Sequence, residues 1–358
     1  MGGIRPAGWD LPRRPTARTN GPGRGAGSAA GGPAEPAGDA ARVGPAGPWY
    51  TRTVRLRLIQ IDAFADRLFE GNPAAVMPLP SWLPEEVLQA VAAENNLSET
   101  AFYVADLPPG VAPPPGGEPA YHLRWFTPQV EVDLCGHATL ATAGHLFDDV
   151  HPDAERLHFW TRSGWLAVAR RADGRLELDF PAGRLRPVPA DDPTSAAAVA
   201  ALGIDPQERM VDTDLVYVLR DAAQVRAVVC DFTGLRDLPV RGVVVTAPGD
   251  EVGVDFVSRF FGAAAGLFED PVTGSAHSQI APYWARRLGR SRLTARQLSA
   301  RGGTIGCAVD GDRVRLSGGY RRYLDGEVTL PEPPGVVGVR ASDEPPAQGR
   351  RYLWAGPQ

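Results

Sequence analysis

Two charge-free segments constrain this chain more than anything else in it. The first, Cys135-Gly-His-Ala-Thr-Leu-Ala-Thr-Ala-Gly-His-Leu-Phe147, holds no Asp, Glu, Lys or Arg, and nearly every residue is small. A surface helix carries one apolar stripe, whereas a helix uncharged on all sides is enclosed. A buried helix is therefore predicted from Gly136 to Phe147. The first backbone N–H groups of any helix lack internal partners, and the dipole there is positive. If that end opens into a cavity, it suits a carboxylate or enolate oxygen.

The chain repeats the pattern. Thr273-Gly-Ser-Ala-His-Ser-Gln-Ile-Ala-Pro-Tyr-Trp284 is also uncharged and also starts Gly-polar-Ala. Gly136 and Gly274 lie 138 positions apart, and the turn signals Asp173-Gly174 and Asp310-Gly311 lie 137 apart. Arg124-Trp-Phe126 and Arg259-Phe-Phe261 precede the two segments in the same order. A near-constant offset at three landmarks argues for a duplicated fold, each half built around its own helix.

The alternating run Val54-Arg-Leu-Arg-Leu58 predicts the first strand, continued by Ile59-Gln-Ile-Asp-Ala-Phe64. Gly71-Asn72-Pro73 reads as a turn and Ala74–Met77 as a short buried run. A helix is expected over 84–94, capped by Ser81, with strands at 100–104 and 121–127 and a Pro/Gly loop over 107–119. After the first central helix, strands at 157–161, 165–171 and 176–180 form a hairpin around Asp173-Gly174. The second half shows a helix at 196–202 and strands at 215–219, 242–246, 304–309 and 313–316. The expected organisation is a tail over 1–53, an N-terminal lobe over 54–183, a C-terminal lobe over 184–335 and a surface tail over 336–358. The first tail is almost free of large apolar side chains, and burial cannot offset the entropy of ordering it.

Composition excludes several chemistries. The chain of 358 residues has 43% hydrophobic and 22% charged residues and a net charge of −5. That balance describes a soluble globular protein and gives no reason to expect nucleic-acid or anionic-membrane binding. No apolar run approaches the roughly 20 residues that cross a bilayer. All 37 basic residues are arginine. A pyridoxal Schiff base, a lysine nucleophile and a phosphate-loop lysine are thereby ruled out. Three scattered cysteines, Cys135, Cys230 and Cys307, make neither a disulfide framework nor a zinc site, and their odd number fits a reducing cytoplasm.

Few residues are left to carry chemistry. Glu99 lies between a helix and a strand; burial of a carboxylate raises its pKa from about 4.3 toward neutrality, as a general base requires. Its other reading is a solvated loop acid. His137, second in its helix, reads as a neutral hydrogen-bonding imidazole, disfavoured from protonation by the helix dipole, or as a packing residue. Asp270 is a site acid or a turn acid, and Ser275 parallels His137 or caps its helix. Cys135 at a helix start is a base, a nucleophile or a small buried apolar residue. The matching position in the second half is Thr273, so racemisation on paired thiols is not available. His145 and His277 read as structural.

Taken together, Ile61-Asp-Ala-Phe64, Gly71-Asn-Pro-Ala-Ala-Val76, Asn96-Leu-Ser-Glu-Thr-Ala-Phe102, Arg124-Trp-Phe-Thr-Pro128, Glu131-Val-Asp-Leu-Cys-Gly-His-Ala-Thr139 and Glu269-Asp-Pro-Val-Thr-Gly-Ser-Ala-His277 resemble the phenazine-biosynthesis PhzF-like family. The likeness runs over roughly residues 55–330. It implies an α+β, diaminopimelate epimerase-like fold of two pseudo-symmetric lobes, each a mixed, barrel-like sheet around a central helix, with the site in the cleft.

The resemblance also implies function. The phenazine enzyme is an isomerase without a cofactor, in which one glutamate moves a proton between ring carbons of dihydro-hydroxyanthranilate. That glutamate matches Glu99. His137, Asp270 and Ser275 match its supporting residues, while Gly136 and Gly274 leave backbone N–H groups for the substrate carboxylate. The implied partners are a small carboxylate substrate and a second copy of the chain, with no metal, nucleic acid or membrane. The Cys-Gly-His form at Cys135 resembles the broad family more than the phenazine enzyme itself. An epimerase pairing Cys135 with Glu99, and a catalytically silent binding protein, are the alternative expectations.

Overall fold

The computed structural model describes residues 53–262 and 267–331. The predicted tails lie outside these, apart from Thr53. The alternating run at the start forms β1 (Thr53–Ala63), followed by β2 (Asn72–Pro78). Helix α1 (Glu85–Asn95) has two glutamates in its first turn, favoured by the helix dipole. Its N-cap is Pro84, and no side chain caps it, so Ser81 does not have the role predicted for it. Asn96, in the left-handed conformation at φ 49°, ends the helix and turns the chain into β3 (Glu99–Val104). Then follow β4 (Ala120–Phe126), β5 (Glu131–Val132), α2 (Gly136–Asp149), β6 (Arg156–Thr161), β7 (Gly164–Arg170), β8 (Leu176–Pro181) and β9 (Arg186–Pro187).

The second half runs α3 (Pro193–Leu202), β10 (Glu208–Val211), β11 (Leu215–Val218), α4 (Ala222–Ala227), α5 (Phe232–Arg236), β12 (Val243–Pro248), β13 (Phe256–Gly262) and β14 (Leu267–Asp270). It ends with α6 (Gly274–Leu288), β15 (Arg292–Gln297), β16 (Gly303–Asp310), β17 (Arg313–Gly318) and β18 (Tyr320–Pro331). Among the described residues no helix is long and apolar enough to cross a membrane.

Strand pairing shows the duplication directly. In the first half β2 runs parallel to β3, β3 antiparallel to β4, and β4 parallel to β6. In the second, β11 runs parallel to β12, β12 antiparallel to β13, and β13 parallel to β15. The side chains repeat as well. Arg124 makes a two-pronged pair with Glu131 at 2.7 and 2.6 Å, with its guanidinium 5.1 Å from the Phe126 ring. Arg259 does the same with Glu269 at 2.6 and 3.0 Å, over Phe261 at 4.9 Å. Both pairs tie the strand before a central helix to the short strand leading into it.

The central helices are enclosed, as their composition requires. Every residue of α2 from His137 to Phe147 is buried. A Cβ added at Gly144 would sit 2.6 Å from the Tyr320 ring, so only glycine admits β18 so close to the helix. In α6, Pro282 has no N–H to give to the carbonyl of Ser278. That carbonyl instead accepts a 2.9 Å bond from the Gly183 N–H, which pins the segment between the halves onto the second helix. The halves share strands too: β17 pairs with β8 and β18 with β1. One apolar core therefore contains Leu140, Leu146 and Phe147 of α2 beside Ile280 and Trp284 of α6.

Candidate active site

Neither central helix has a side-chain cap at its start, so the first N–H groups of both remain available. The residue that joins these starts is Asn72, read from sequence as part of a turn. Gly71 makes the turn, at φ 73°, where an added Cβ would meet the Ala63 carbonyl oxygen at 2.2 Å. The Gly71 N–H donates to the Gly302 carbonyl at 2.7 Å, and Arg301 donates to the Gly71 carbonyl at 2.9 Å. The turn is thus clamped to the second half, and Asn72 opens β2 fully buried.

Asn72 Nδ2 donates to Asp270 Oδ1 at 2.8 Å and to the Val272 carbonyl at 2.9 Å. An amide nitrogen has two hydrogens, and these acceptors take both. Its 3.3 Å approach to His137 Nδ1 is then a packing contact. Thr273 Oγ1 donates to Asp270 Oδ2, and Gln297 holds this corner by donating to the Asp270 carbonyl at 2.7 Å and accepting from the Thr273 N–H at 2.9 Å.

Glu99 is the first residue of β3, opposite Ala74 of β2, and not a loop residue as predicted. It is 9% exposed. Its Oε2 lies 3.1 Å from His137 Nε2. The approach is out of line, and neither atom has a hydrogen-bond partner among the described residues. Asn72 Oδ1 is likewise buried and unpaired. Three unsatisfied buried polar atoms in one cluster are costly to leave so, at roughly 1–3 kcal/mol each, and are what a bound molecule would satisfy.

Charge follows from these contacts. Burial opposes an imidazolium at His137, but the adjoining Cys135 and Glu99 together outweigh it and hold its pKa well above the usual value. This is the reverse of the neutral imidazole predicted from the helix dipole. Burial pushes Asp270 up to about 6, opposed by His137 and reinforced by Glu99. Burial, with Glu99 nearby, also raises the Cys135 thiol, so it is not a ready thiolate.

Glu99, Cys135 and His137 offer ligand-type atoms within 4.8 Å of one another. However, Cys135 Sγ lies by Nδ1, at 3.6 Å, and the carboxylate by Nε2. A metal takes one nitrogen of an imidazole, so this is a file of groups along a ring, not a shared cage.

Of the residues singled out in the sequence, Glu99, His137 and Asp270 come together, with Gly136 and Gly274 at the adjoining helix starts. Ser275 joins a second network. Its Oγ accepts from Arg241 Nη1 at 3.0 Å and does not cap α6. Arg241 also makes a two-pronged pair with Asp214, which is fully buried and accepts from Gln279 Nε2 at 2.6 Å. His277 is structural, donating from Nδ1 to the Thr273 carbonyl at 2.8 Å, and His145 stacks its contacts away from the site on Tyr103 and Asp149. Asn72, Arg241 and Asp214 were missed because Asn, Arg and Asp beside turns are ordinary surface residues. Only the second-half partners reveal them.

Two matching halves with uncapped helix starts, and a buried acid against an imidazole between them, describe a two-lobed, epimerase-like fold. The comparisons agree. The model of the phenazine biosynthesis-like protein family, PhzC-PhzF, matches residues 61–326. An uncharacterized isomerase of Pseudomonas aeruginosa is 50% identical over 280 residues, covering 77% of this chain and 100% of its own. The human phenazine biosynthesis-like domain-containing protein is 36% identical over 291 residues, with 77% and 100% covered. The crystal structure of a PhzF-family phenazine biosynthesis protein from Enterococcus faecalis has a TM-score of 0.70 and 44% identity, covering 77% of this chain and all of that one. The chain belongs to the phenazine biosynthesis-like, PhzC-PhzF family, and it is an isomerase.

Proposed function

We propose that the protein shifts a carbon-bound proton on a small carboxylated, cyclic metabolite without a cofactor, as part of a biosynthetic sequence. The observation that carries this reading is the pair Glu99 Oε2 and His137 Nε2, buried 3.1 Å apart with no aligned partner. Glu99 takes the proton from one carbon and returns it to another. His137, held as an imidazolium, keeps the carboxylate oriented. Asp270 and Asn72 fix the opposite wall. Negative charge that develops on the substrate flows toward its carboxylate, where the N–H groups of Gly136 and Gly274 and the Ser275 hydroxyl receive it.

The alternative that pairs Cys135 with Glu99 is disfavoured. A two-base epimerase needs groups on opposite faces of the reacting carbon, each about 3–3.5 Å from it, whereas the reactive atoms of these two lie within 4.8 Å of one another, too close to bracket it. The complete polar set speaks against a silent binding protein. For its setting we propose the cytoplasm, and for its assembly a homodimer.

The test is proton wash-in from deuterated water, followed by 1H NMR over a panel of unsaturated cyclic carboxylates. Glu99→Gln should abolish exchange that the wild-type protein performs; exchange retained in that variant sinks the assignment.

A further inference from the structure

The duplication allows the two halves to be compared position by position. Thr100 lies opposite Phe126 between β3 and β4, and Val243 lies opposite Phe261 between β12 and β13. With Phe126 matched to Phe261, Glu99 corresponds to Gly242. Where the first half places its acid, the second half has none, and the neighbouring side chain is Arg241. The acid of the first half thus has no counterpart at this position of the second, where a guanidinium stands beside Ser275 at the start of α6.

Arg241 is built in rather than draped over the surface. Nε and Nη2 grip Asp214, itself held by Gln279. The guanidinium lies 5.6 Å from the Phe260 ring. Its side chain is nevertheless 31% accessible. A guanidinium has five hydrogens. Asp214 takes two and Ser275 one, so one on each terminal nitrogen is unpartnered among the described residues. Because Ser275 Oγ accepts from Arg241, its own proton is free to be donated.

We infer that Arg241, with the Ser275 hydroxyl, is the substrate-recognition residue of the second half, taking the carboxylate of the substrate and thereby turning its reacting carbon toward Glu99. The inference rests on the proton-shift reading for the identity of the site. A substrate carboxylate received by the helix starts and the Ser275 hydroxyl lies beside Arg241, whose guanidinium, held by Asp214, has one hydrogen left on each terminal nitrogen to donate to it. The pair with Asp214 orients the guanidinium before substrate arrives, so little ordering is left for binding. The substrate class is therefore acidic, with the acid required for binding and not only for chemistry.

Benzoate and benzamide are the probes, titrated by NMR into the full chain. Wild type should prefer benzoate. Arg241→Gln leaves the buried Asp214 carboxylate without its counter-ion, so the companion Arg241→Gln with Asp214→Asn keeps the region neutral. Both should lose benzoate affinity by about tenfold or more, the worth of a charge-assisted hydrogen bond, while benzamide binding stays unchanged. Glu99→Gln should bind benzoate at least as well as wild type although exchange is lost, so this inference and the proton-shift reading fail separately. Equal affinity of wild type for acid and amide, or undiminished benzoate binding in a folded double variant, would overturn the role of Arg241.

Discussion

Asn72 donates a 2.8 Å hydrogen bond to Asp270, a residue 198 positions away in the other half of the molecule. Through it the first strand pair of one half is tied to the helix start of the other, with His137 packed on the same amide. Asn72→Ala leaves Asp270 and the Val272 carbonyl short of a donor in a closed interior. It should destabilise by about 2–4 kcal/mol in urea melts. Exchange activity should fall further than the loss of folded protein explains, because the Asp270 wall is no longer fixed. Unchanged kinetics in the folded fraction would make Asn72 merely structural.

Asp270 gives a pH signature. Its pKa is pushed up to about 6 by burial, with His137 opposing and Glu99 adding. The folded protein therefore holds this proton more tightly than the unfolded chain, and stability falls as pH rises from about 4 to about 6. Above that range the cost is about 2–3 kcal/mol. Asp270→Asn should match wild type near pH 4 and exceed it at pH 7 to 8, at the expense of activity. Thermal melts across the range decide it; a gap that is constant with pH would be contrary to this origin.

Gly274 tests whether the start of α6 is reserved for a ligand. A Cβ there would meet nothing nearer than Leu316 Cδ1 at 3.8 Å, an ordinary contact. Gly274→Ala should keep or raise stability, by up to about 1 kcal/mol from helix propensity. Benzoate binding should nonetheless weaken, since the methyl group screens the first N–H groups. Equal binding would place the anion elsewhere.

Cys135→Ala separates the two isomerase mechanisms. With the thiol held protonated by burial, its removal costs packing only, about 1 kcal/mol. Exchange should slow by less than about tenfold, one catalytic interaction being worth more than that. Complete loss of turnover would reinstate Cys135 as a base.

Local chemistry determined much of this protein. An uncharged run of small residues has no face to show to water, so the two central helices and their burial were legible from Gly136 to Phe147 and from Gly274 onward. Asp-Gly between alternating runs gave the hairpins, and the constant offset gave the duplication. Glu99, His137 and Asp270 stood out through their motifs. Tertiary structure decided what single positions do. Asn72 and Arg241 matter only through partners scores of residues away, and no local pattern records such pairings. The charge on His137 was misjudged too: a helix dipole is a property of the segment, but it is outweighed by the buried Cys135 together with the Glu99 carboxylate, which arrives on another strand. Burial and long-range proximity set pKa values, and both exist only once the chain has closed.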